Sequence, residues 1–171
     1  MCSRYPSKGA DMRKRSKYRP KGVRLDTIGY VIESIKPVAK HESYLLDLKI
    51  KNSEAMVALM RGSAVKGDMD TLIAMSNIVE ALYQLGFGAE YKDVAVDGRE
   101  AILNIIHRAV TTKRFVPTAE QIKALQNLME LHDAQMDVIT IKDMERALEF
   151  ARIQFANKKM TVLPKLEGVP L

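Results

Sequence analysis

Only one cysteine, Cys2, occurs among the 171 residues, so no intramolecular disulfide can form. It has no nearby histidine partner, which argues against a catalytic thiol. Tryptophan is absent and aromatic residues make up 6% of the chain. No run of about 18 apolar residues occurs, so no membrane span is expected. The basic residues near the start are not followed by the apolar segment of a secretory signal, and a cytoplasmic location is the expectation. Phosphate-cradling glycine motifs are missing too: neither G-x-x-x-x-G-K-S/T nor G-x-G-x-x-G is present. Gly86-Phe87-Gly88 is too short for such a motif and reads as a helix stop. Proline is absent from 38–116 and from 118–163.

What remains has ordinary soluble-globular proportions, 47% apolar and 28% charged. The length suggests one domain, large enough to fold without a metal or disulfide staple. The net charge of +6 is unevenly placed. Residues 1–24 carry nine basic side chains against one acid, Asp11; the other 147 residues carry 18 basic and 20 acidic. All of the excess positive charge therefore belongs to an N-terminal arm. With Pro6, Gly9, Pro20, Gly22 and few apolar residues, that arm buries too little to offset its ordering entropy and reads as disordered when free.

Beyond the arm, long proline-free stretches rich in Ala, Leu, Met, Glu and Lys predict helices. The first spans about 26–36, capped by Asp26 or Thr27, with Ile28, Ile32 and Ile35 on one face and Pro37 ending it. Residues 43–50 alternate like a strand at Tyr44, Leu46, Leu48 and Ile50, yet also suit a helix continuing to Arg61 and stopping at Gly62, the preferred reading. Asp68 is the expected cap of a helix with Leu72, Met75, Val79 and Leu82 on its face. A further helix covers about 90–113, weakened at Gly98, with Ile102, Ile105, Ile106, Ala109 and Val110 as its apolar side.

The last two helices are the clearest. Thr118 with Gln121 forms a capping-box pattern ahead of a seam of Ile122, Leu125, Met129, His132 and Met136. Thr140 caps a second seam of Ile141, Met144, Leu148, Ala151 and Phe155. The short link predicts antiparallel neighbours; the two seams also suit pairing with a second copy of the chain. The expected organisation is a disordered arm over 1–24, one helical domain over 25–160 and an irregular tail over 161–171. The fold class is all-α, with five or six helices in an orthogonal or bundle-like array.

Among chemistry-bearing features the arm ranks first. Arg13, Lys14, Arg15, Lys17, Arg19, Lys21 and Arg24 suit phosphate contacts, and Tyr18 suits stacking on an exposed base. Such contacts give affinity without sequence choice. A helix-turn-helix reader over 118–158 is disfavoured, because Lys142, Asp143, Glu145, Arg146 and Glu149 make a mixed surface. Glu130, Asp133 and Asp137 share a helix side and read as a solvated acidic stripe. Met56, Met60, Met75, Met129, Met136 and Met144 fall mostly at core spacing.

Leu131-His132-Asp133 resembles the core of all-helical HD-type phosphohydrolases, in which an adjacent His-Asp pair holds a metal that activates water. His107 lies upstream, but it points away from the face of Ile102, Ile105 and Ile106. Asp137 and Asp143 follow too soon for that family, and no Gly-Lys segment follows the pair. His132 is read instead as a seam histidine hydrogen-bonded to a neighbouring helix. No catalytic residue, metal site or cofactor is expected.

Several stretches resemble small helical proteins carried by bacteriophages and prophages of Gram-negative bacteria: residues 17–27, 44–52, 81–88, 130–137 and 143–149. That resemblance brings no activity with it and implies an accessory role on a mobile element. The resulting expectation is a non-enzymatic accessory protein that holds DNA or RNA through its arm. The alternatives are a helical adaptor or inhibitor that binds an acidic or host protein, and an HD-like phosphohydrolase at His132 and Asp133.

Overall fold

The computed structural model describes residues 31–32, 34–40 and 42–164. Over these residues the chain is all-α. Five α-helices lie wholly among the described residues: α1 (Glu42–Met60), α2 (Lys66–Gln84), α3 (Lys92–Thr112), α4 (Ala119–Val138) and α5 (Ile141–Ala156). Short 3₁₀ turns cover Val38–Lys40 and Ala89–Tyr91. The arm and its expected disorder lie outside the described residues, as does most of the helix predicted over 26–36. Of that helix, Val31, Ile32 and Ser34 are helical, and Ile32 and Ile35 are exposed.

Each helix begins and ends for a local reason. The ambiguous 43–50 stretch is helical within α1. Gly62, at φ +67°, turns the chain after it, with Gly62 N–H donating to the Leu59 carbonyl and Ser63 N–H to that of Ala58, both at 3.0 Å. Helix α2 starts two residues before the predicted cap. Asp68 is its third residue, and Asp68 Oδ2 accepts the Val65 N–H at 2.9 Å. A carboxylate in the first turn satisfies an orphan donor and suits the positive helix end as a cap would. Thr118 and Thr140 cap α4 and α5 as expected, each accepting a backbone N–H three residues on.

Helix α2 is the central element and packs against all four other helices. Its buried residues, among them Met69, Leu72, Ile73, Met75, Val79, Ala81 and Leu82, spread over more than one face accordingly. The main core joins α1, α2, α3 and α4. A second cluster gathers Val38, Leu45, Ala81, Leu82, Met136, Ile139 and Ala147 where α5 meets the ends of α2 and α4.

Three expectations are corrected. First, α5 packs along α2 and not beside α4. Ile139 and Thr140 are extended, and residues 36–38 pair with them: Val38 N–H donates to the Ile139 carbonyl at 3.0 Å, and Ile141 N–H to the Lys36 carbonyl at 3.1 Å. This strap turns the chain away from a hairpin. Second, Leu148 and Phe155 are 51% and 62% exposed, because α5 buries the side centred on Ala147, about 100° from Leu148. Third, Val110 is 48% exposed; the buried stripe of α3 runs through Gly98, Ala101, Ile102, Ile105, Ile106 and Ala109. Met60 is likewise exposed, whereas Met56, Met69, Met75 and Met136 are buried.

Residues 157–164 contain no helix. They are nonetheless packed: Thr161 is buried, its carbonyl accepts from Asn77 Nδ2 at 2.9 Å, and Leu163 rests on the main core.

Candidate nucleic-acid interface

Arg13, Lys14, Arg15, Lys17, Tyr18, Arg19, Lys21 and Arg24 lie outside the described residues. The geometry on hand is therefore that of the helical body. Many of its cations are engaged by its own acids or carbonyls. Arg99 of α3 grips both carboxylate oxygens of Glu80 on α2, at 2.9 and 3.1 Å. Lys66 pairs with Asp70, Arg146 with Asp143 and Arg152 with Glu149. Arg108 Nε donates to the Val116 carbonyl at 3.2 Å, and its Nη2 donates to Gln121 Oε1.

At one end of the bundle the turn after α1 meets the turn after α3. Arg114 Nη2 donates to the Gly62 carbonyl at 3.2 Å, and Thr112 Oγ1 donates to the Arg114 carbonyl at 2.9 Å. Lys113 ends α3 in the left-handed region, at φ +57°, with its N–H on the Ala109 carbonyl. Arg61, Lys113 and Arg114 are all exposed there.

His132 is 2% exposed. Its Nδ1 stands 3.5 Å from Asp133 Oδ1, and Asp133 Oδ2 stands 3.6 Å from Lys49 Nζ on α1. Burial pushes the imidazole below its ordinary pKa, against the opposing pull of the Asp133 carboxylate, and the Lys49 ammonium adds to the lowering. The ring is thus neutral near pH 7. Among the described residues its hydrogen-bond contact is to Asp133, the next residue on the same helix, and not to the expected neighbouring helix. Among the described residues no three His, Cys, Asp or Glu side chains gather into a metal-ligating group, and His107 is exposed on α3. Glu130 and Asp137 face solvent, while Asp133 is half-buried.

Open hollows mark the described surface. One of about 520 Å³ runs along α1 past Lys49, Ile50, Ser53, Val57 and Arg61. A second of about 530 Å³ lies between residues 31–35 and α5, floored by Leu85, Phe150 and Ile153. A third of about 310 Å³ is lined by Tyr91, Val94, Asn127, Glu130 and Leu131. No described helix is long and apolar enough to cross a membrane.

Sequence reasoning missed two amides that tie segments together, the buried Gln135 and the half-buried Asn77. Gln135 Nε2 donates to the Phe87 carbonyl at 2.9 Å and to that of Val79 at 3.4 Å, which pins α4 to the end of α2. Asn77 holds the tail at Thr161. Gln135 lies outside the Ile122–Met136 seam, and its burial comes from packing across the chain.

No protein-family model matches the chain, and no curated protein or solved structure matches it either.

Proposed function

We propose that the protein is a non-enzymatic accessory factor that holds nucleic acid through its N-terminal arm, with the helical body as scaffold. One observation carries this reading: nine cations against one acid in residues 1–24, joined to a body with slightly more acids than bases. Such a cationic segment displaces counterions from phosphates and binds without sequence choice. The pairing of Arg99, Lys66, Arg146 and Arg152 with acids of the body supports the division of labour, since those charges are committed to the fold. The resemblance to phage-borne helical proteins supports an accessory role.

The test compares the full chain with a full-length variant in which Arg13, Lys14, Arg15, Lys17, Arg19, Lys21 and Arg24 are all replaced by Gln. Binding to single- and double-stranded DNA and RNA is measured at two salt concentrations. Steep salt dependence that vanishes in the variant is the expected result. Equal binding by both proteins, or binding by neither, overturns the reading and favours the adaptor alternative.

A further inference from the structure

The body's charge is polarised along the bundle. The two turns that meet at Arg114 and Gly62, with the helix ends beside them, span residues 61–70 and 107–123. They contain Arg61, Lys66, Arg108, Lys113, Arg114 and Lys123 against three acids, Asp68, Asp70 and Glu120. The body as a whole carries more acids than bases. Asp70 is already paired with Lys66, and Asp68 accepts the Val65 N–H. Arg61 and Lys113 make no ion pair with any described residue and project into solvent. Arg114 joins them because its guanidinium bridges the two turns.

We infer that this end of the bundle is a second phosphate-backbone contact, used by the same nucleic acid that the arm holds. The inference rests on the proposed function. Helix α4, 20 residues long, separates this end from the strap where Pro37 meets Thr140. At 1.5 Å per residue that is about 30 Å. The strap at residues 36–38 thus lies at the opposite end of α4 from Arg61 and Lys113. The competing account is that Arg61 and Lys113 only offset the negative ends of α1 and α3. That account predicts an effect on melting temperature and none on nucleic-acid binding.

The test uses the full chain carrying Arg61→Gln and Lys113→Gln together, and leaves Arg114 in place because it holds the Gly62 carbonyl. Circular dichroism confirms the fold, and Arg61→Lys serves as a charge-preserving control. Binding to a DNA duplex across a salt series gives the slope of log affinity against log salt. The slope should shrink by roughly two, with affinity near 0.1 M salt falling at least about tenfold, while Arg61→Lys stays like wild type. An unchanged slope in the double variant, with binding still lost in the arm variant, overturns this inference and leaves the proposed function standing. No binding by the unaltered chain overturns both.

Discussion

Gly98 of α3 and Leu128 of α4 touch so closely that a β-carbon on Gly98 would lie 2.8 Å from both Cβ and Cδ2 of Leu128. A glycine in mid-helix ordinarily costs about 1 kcal/mol against alanine. Here it permits the crossing of the two helices in the main core. Gly98→Ala should therefore destabilise the protein by roughly 1–3 kcal/mol through overpacking, despite the gain in helix propensity. Leu128→Ala alone should cost about 2–5 kcal/mol as a cavity. Together they should cost somewhat less than their sum: the truncation removes the Cγ and Cδ2 contacts, while the Cβ at position 128 still crowds the new methyl. Urea unfolding of the three variants measures this; a stabilised Gly98→Ala would refute the close contact.

His132 makes stability depend on pH in a fixed direction. Its folded pKa lies below the 6.5 of the unfolded imidazole, so the unfolded chain binds the proton more readily. The contribution is complete above about pH 6.5 and is lost as pH falls from there toward the folded value. The slope in that window is at most about 1.4 kcal/mol per pH unit for one group. Wild type should unfold at lower urea at pH 5.0 than at pH 7.5, and His132→Gln should flatten that difference whatever its own stability. A variant as pH-sensitive as wild type would assign the effect to other groups.

Gln135 donates to two carbonyls, of which only that of Phe87 lies outside a helix. Phe87 lies in the turn after α2, and Val79 lies in α2 itself. Gln135→Ala should cost about 1–3 kcal/mol, since it leaves the Phe87 carbonyl without its side-chain donor. Amide hydrogen exchange should rise over residues 83–88 more than over α1. Uniform loss of protection across the bundle would contradict a local pin.

The helices were legible because their signals are local. The threonine capping boxes, Gly62 and the 3-4 spacing in α2 and α3 each depend on a few neighbouring residues. What escaped notice depends on packing across the chain. The Ile122–Met136 seam marked the right side of α4 but could not show that Leu128, Leu131 and Gln135 widen it, because α4 is met by α1, α2 and α3 together. The short 139–140 link implied a hairpin with α5, yet the strap from Lys36 to Val38 hydrogen-bonds there. A pairing over a hundred residues apart leaves no trace in local periodicity. The candidate site divides in the same way. Charge runs are visible in composition, whereas the meeting of Arg61 with Lys113 and Arg114 needs the turns to be brought together.

The Glu80–Arg99 pair links α2 to α3. A single nitrogen, Arg99 Nη1, engages both carboxylate oxygens. The side chains retain 28% and 42% exposure, so water still screens the charges. A double-mutant cycle with Glu80→Gln and Arg99→Gln should give a coupling of about 0.2–1 kcal/mol. Raising salt to 1 M shortens the screening length to about 3 Å and should reduce that coupling by half or more. Arg99→Lys should keep much of it, since one nitrogen makes both contacts and an ammonium can do the same. A coupling indifferent to salt would mean that the pair acts through packing of the arginine stem against α2 instead of through charge.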